Sequence, residues 1–124
     1  AYTKTRQQFG VPISSFQTLQ HRMVDNFMAA EQARSMVYRA LCAFGHGSLE
    51  VENERMRSLH AMKVTVARSS KLIGEEAIQI HGGMGMTDAL NIGHYVKRLM
   101  TINLMFGDGD YHQKKFNQIS YQAL

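Results

Sequence analysis

The residues with the clearest chemical potential are Gln79-Ile80-His81-Gly82-Gly83-Met84-Gly85-Met86. Gln79 offers both a donor and an acceptor. Glycine in a helix interior costs about 1 kcal/mol relative to alanine, so Gly82, Gly83 and Gly85 break the helical pattern before them. Bare backbone of this kind lets a ligand come close to the main chain. A polar amide, exposed backbone and a fresh helix start would cradle a nucleotide or another cofactor. The same stretch also reads as an ordinary glycine turn that ends a helix and holds no ligand. A second candidate lies near the front of the chain. Arg6 falls at a helix end shortly before Gly10, where a guanidinium can grip a diphosphate in bidentate fashion. Phe9 could present a flat apolar face to an aromatic ring. Against that stand a solvated surface arginine and a core phenylalanine.

Other chemistries find less support. His21, His46, His60, His81, His94 and His112 form no recognised metal-binding motif with the carboxylates or the cysteine, so no metal site is predicted. Cys42 sits in an apolar helical stretch and reads as a small core residue. Glu75 and Glu76 are adjacent, so on a helix they diverge by about 100° and cannot act as a facing pair. Asp108-Gly109-Asp110 resembles the start of a calcium loop but lacks the downstream glycine and glutamate. Turn chemistry explains it better.

The elements that must position these residues are helical. At 124 residues the chain suffices for one domain, and 44% hydrophobic content argues against disorder. No stretch resembles a signal peptide or a membrane span. The formal charge of +4 raises nucleic acid as a partner, but the basic residues are scattered and no aromatics interleave with them, so none is predicted. Residues 1–9 read as the last turns of a helix without a beginning, stopped by Gly10, as though the chain were a piece of something longer. Ser14 or Ser15 can cap a second helix, with Phe16, Leu19, Met23, Phe27, Ala30, Ala33, Met36, Val37, Ala40, Leu41 and Phe44 on its apolar side. Gly45-His46-Gly47-Ser48 ends it. A third helix runs from about Leu49 to Ile80, with Glu50, Glu52 and Glu54 at the positive end of its dipole. Thr87-Asp88 can cap a fourth over Leu90 to Phe106, and Asp110 a last one through Tyr121. No region shows strand alternation. The expectation is all-α, an up-and-down four-helix bundle with a short C-terminal helix. Its apolar stripes and nine methionines leave surface for a partner subunit.

Taken together, Tyr2-x3-Arg6-x-Gln8-Phe9-Gly10-x-Pro12-Ile13, Phe16-Gln17-x2-Gln20 and Gln79-x-His81-Gly82-Gly83-x-Gly85 resemble the C-terminal helical domain of the acyl-CoA dehydrogenases. The resemblance covers essentially the whole chain, and the arginine and glutamine–glycine motifs are specific as a pair. It implies that residues 1–124 are that domain of a protein whose N-terminal helical and β domains lie outside this sequence. It implies an FAD enzyme that oxidises the Cα–Cβ bond of an acyl-CoA and passes electrons to an electron-transfer flavoprotein. A homodimer or homotetramer, or a heteromer, would form through this domain, in the bacterial cytoplasm or the mitochondrial matrix. The resemblance places Arg6 on the FAD diphosphate of a neighbouring subunit, with Gln8 and Phe9 along the same cofactor. Gln79 and the backbone of His81, Gly82 and Gly83 receive its adenosine end.

One departure concerns the base. Many members carry a glutamate in an aromatic–Glu–Gly–Thr segment before the final helix, and here Gly107 follows Phe106 at that position. Asp108 is displaced by one residue and shorter, and proton abstraction needs the base within hydrogen-bond reach. No catalytic residue is therefore assigned. A base upstream of Tyr2, a non-catalytic partner subunit of a heteromer, and a plain oligomerisation module stay open as alternatives.

Overall fold

The structure is a computed structural model that describes residues 1–44 and 49–122. The expected Gly45–Ser48 break lies outside the described residues. A single helical turn, α1 (Tyr2–Thr5), leads into a minimal hairpin of β1 (Gln7–Gln8) and β2 (Val11–Pro12). Then come α2 (Gln17–Ala43), α3 (Leu49–His81), α4 (Ile92–Leu104) and α5 (Gly109–Gln122). The all-α class holds. The hairpin departs from the expected helix through Phe9: Arg6 is already extended, and Pro12 cannot donate to a helical ladder.

Packing is centred on α3, against which α2, α4 and α5 make their main contacts. Ion pairs Arg22–Glu76 and Arg39–Glu54, each 3.3 Å, show that α2 and α3 run antiparallel. On another side α4 and α5 follow one another along α3. Asn103 Nδ2, late in α4, donates to Ala67 O, while His112, early in α5, meets His60. Both helices thus oppose the direction of α3, and the turn between them redirects the chain without reversing it.

On α2, Ala29 and Ala40 are buried and Leu19, Met23 and Met36 half-buried, whereas Phe27, Val37, Leu41 and Phe44 are exposed. The broad apolar stripe expected to enter the core is therefore split between the packed face and the surface. Cys42 is also exposed, not a core residue.

The expected caps are corrected as well. Ser15 Oγ donates to Pro12 O, and Phe16 occupies the cap position of α2. Thr87 Oγ1 donates to Met84 O, and α4 starts after Asn91. For α5 the cap is Asp108, whose Oδ1 accepts from the Tyr111 amide at 2.8 Å, and Asp110 lies in the first turn. Among the described residues no helix is long and apolar enough to cross a membrane.

Candidate functional site

The front hairpin positions Arg6, Gln8 and Phe9. Its register pairs Gln7 with Pro12 and Gln8 with Val11, and the Ile13 amide donates to Arg6 O at 2.9 Å. Buried Ile13 anchors the hairpin to the body of the domain. Phe9 and Gly10 form the tip with φ of 55° and 80°, the double positive φ of the turn that best matches strand twist. Glycine suits it. For phenylalanine the left-handed region costs on the order of 1–3 kcal/mol and persists only where the surroundings enforce it. The Phe9 ring is 91% exposed, with one edge contact to Phe16 at 6.2 Å between centroids. Arg6 and Gln8 are exposed beside it, and none of the ion pairs among the described residues uses Arg6.

The glycine stretch forms at the end of α3. Residues Gly82–Met86 wind into a 3-10 segment, with Gly82 at φ 59°. Gly85 is needed for packing, since a Cβ there would lie 2.9 Å from Ile78 O. Gly83 has open space where a side chain would go, so its main chain is accessible. Gln79 is exposed on the last turns of α3. The His81 ring is engaged internally: Nδ1 donates to Ala77 O at 2.7 Å.

Tyr2 joins the two regions. Its ring stacks on His81 with centroids 4.3 Å apart, and its hydroxyl donates to His81 O at 3.3 Å. This contact docks α1, and the hairpin that follows it, onto the end of α3 where the glycine segment begins.

A third feature escapes sequence reading. The turn between α4 and α5 contains a second Phe-Gly pair in left-handed geometry, Phe106 at φ 60° and Gly107 at φ 100°. The Phe106 ring is 88% exposed. Lys63 Nζ donates to Met105 O at 2.9 Å, and His112 Nε2 donates to Phe106 O at 3.0 Å. Behind it His60 and His112 are buried, with their Nδ1 atoms 2.7 Å apart. Burial, then His112, then Lys115 push the His60 pKa below its ordinary 6.5. No ligand-spacing rule finds this pair, because its members sit on different helices. Asp108, the carboxylate nearest the aligned base position, is committed to capping α5. An apolar groove of about 440 Å³ runs beside this turn, lined by Val64, Ala67, Val96, Leu99 and Met100, and none of the sequence-predicted site residues lines it. Among the described residues no group of three or more metal-ligating side chains forms.

These features define a helical domain organised on one long central helix, with motif-bearing turns left at its surface. Residues 1–118 match the family model of the acyl-CoA dehydrogenase C-terminal domain, and the chain belongs to that family. It is 38% identical over 98 residues to acyl-CoA dehydrogenase IpdE2 of Mycolicibacterium smegmatis, covering 79% of this chain and 28% of that protein. It is 27% identical over 113 residues to the L-prolyl-[peptidyl-carrier protein] dehydrogenase of a Serratia strain, covering 91% and 28%. Among solved structures it is similar to the FAD complex of PigA, with a TM-score of 0.82, 26% identity, and coverage of 94% of this chain and 29% of that one. The chain thus spans less than a third of the length of these relatives.

Proposed function

We propose that the whole protein carrying this chain is an FAD-dependent dehydrogenase that oxidises the Cα–Cβ bond of an acyl-CoA thioester, and that residues 1–124 are its C-terminal helical domain. In this reading Arg6 grips the FAD diphosphate of a neighbouring protomer, while Gln8 and Phe9 lie along the same cofactor. Gln79 and the main chain of His81, Gly82 and Gly83 receive its adenosine end. The observation that carries the reading is the Phe9–Gly10 tip, a strained turn that holds an aromatic ring in solvent beside an arginine outside the ion pairs found among the described residues. Strain of this kind, set against a single edge contact with Phe16, fits a ring meant for a ligand. The open main chain at Gly83 fits the same group.

The bound flavin would supply the hydride acceptor, and this chain's residues would bind and orient it. Electrons would then leave to an electron-transfer flavoprotein. Exposed Phe27, Tyr38, Leu41 and Phe44 on α2 would be covered in a homodimer or homotetramer. The α4–α5 turn would border the reacting thioester, since Phe106–Gly109 aligns with the family's base segment. Purified whole protein should be yellow and should reduce an electron acceptor when given acyl-CoAs. A colourless, flavin-free protein, inert across a broad acyl-CoA panel, would overturn the assignment.

Gly107 favours a second reading, a non-catalytic partner subunit. It retains the flavin but has no turnover unless a base comes from another segment. Flavin binding with no acyl-CoA-dependent reduction would select it.

A further inference from the structure

We propose that His112, supported by His60, is a positioning residue: it holds the Phe106–Gly107 turn in its left-handed form and, behind Tyr111, crowds the space where a side chain at position 107 would begin. The inference rests on the reading in which that turn borders the reacting thioester.

The hydrogen-bond directions follow from the acceptors. Phe106 O can only accept, so His112 Nε2 carries the proton of the 3.0 Å bond. In the neutral imidazole His112 Nδ1 then presents a lone pair, and the proton of the 2.7 Å Nδ1–Nδ1 contact belongs to His60. Both rings are buried, His60 at 5% and His112 at 4% exposure, so the relay is shielded from competing water. Burial, then His112 and Lys115, lower the His60 pKa and so favour its neutral form.

The steric contribution is equally specific. A Cβ at position 107 would fall 2.5 Å from Tyr111 Cδ1 and 3.2 Å from His112 Nε2. Tyr111 is itself held, edge-on to His112 at 5.2 Å between centroids and with Lys115 Nζ 5.9 Å from its ring centre. Its amide is tied to Asp108. The phenol, and less closely the imidazole, therefore crowd the first carbon of any side chain at 107, and the turn presents the Phe106 ring with bare backbone beside it. Lys63, bonded to Met105 O, is a second strap on the same turn. Together they let a phenylalanine remain at φ 60° with its ring in solvent.

The test uses the whole protein with His112→Leu and His112→Gln. The glutamine amide reaches the position of Nε2 and restores the donor to Phe106 O. Hydrogen–deuterium exchange of the peptide spanning Met105–His112 should rise roughly tenfold in His112→Leu and return toward wild type in His112→Gln, the size expected for loss of one buried hydrogen bond. In steady-state kinetics kcat should fall roughly five- to tenfold in His112→Leu with KM moving less than about twofold, and His112→Gln should recover most of it. Unchanged exchange in His112→Leu overturns the proposal, as does raised exchange with wild-type kcat in an active enzyme. If His112→Leu does not fold, His112→Gln alone decides: near-wild-type exchange and kcat support the proposal, and loss of both overturns it. A protein that binds no flavin and turns over no acyl-CoA defeats the dehydrogenase reading instead, and the exchange comparison still decides whether His112 holds the turn.

Discussion

Gly107→Ala adds one methyl group where the backbone and two rings both oppose it. The backbone contribution comes from φ 100°, a conformation for which an L side chain costs roughly 1–2 kcal/mol. The steric contribution comes from Tyr111 Cδ1 at 2.5 Å and Cε1 at 3.1 Å from the new Cβ, with His112 Nε2 at 3.2 Å. Tyr111 is half-exposed and can give, but its amide bond to Asp108 and its contact with His112 restrain it. Overpacking of this kind costs roughly 1–3 kcal/mol. The expected total is therefore about 2–5 kcal/mol, read as a lowered urea midpoint with an unchanged slope. Pairing Gly107→Ala with Tyr111→Ala should recover the steric share and leave the backbone share, giving a coupling of about 1–3 kcal/mol. A single-variant loss below about 0.5 kcal/mol, or strict additivity in the pair, would refute the clash at this position.

Phe9→Asn should raise stability by roughly 1 kcal/mol, because asparagine tolerates the left-handed region, while lowering flavin retention in the whole protein. Thermal unfolding and the flavin-to-protein absorbance ratio check the two opposite signs. Arg6→Ala should weaken flavin retention by about 1.5–3 kcal/mol, the worth of a charge-assisted contact, and flavin occupancy under dilution measures it. The His60–His112 pair sets a pH dependence. With the folded-state pKa of His60 below 6.5, the unfolded chain takes up a proton that the folded chain refuses. Stability is then fully present above about 6.5 and declines as pH falls from there toward the folded value, with a slope of up to about 1.4 kcal/mol per pH unit. Urea midpoints at several pH values, compared with His60→Gln, should show a flatter profile in the variant.

Helix-period apolar spacing along α2 and α3, the absence of long strand alternation, and the paired arginine and glutamine–glycine motifs were enough to establish an all-α fold and the family. These are local or one-dimensional signals: a helix's period is written in its own residues, and a motif keeps its order whatever surrounds it. Packing partners are not so written. Phe27, Leu41 and Phe44 share the helical period of the core, and only the way α2 packs on α3 decided that they stay exposed. The hairpin at Phe9 and the capping role of Asp108 followed from backbone angles that composition does not specify. His60 and His112 are far apart in sequence and sit on separate helices, so their bond exists only because α5 lies along α3. That docking also carries the imidazole to Phe106 and, with Tyr111, crowds position 107, a consequence of three-dimensional proximity that no residue announces by itself.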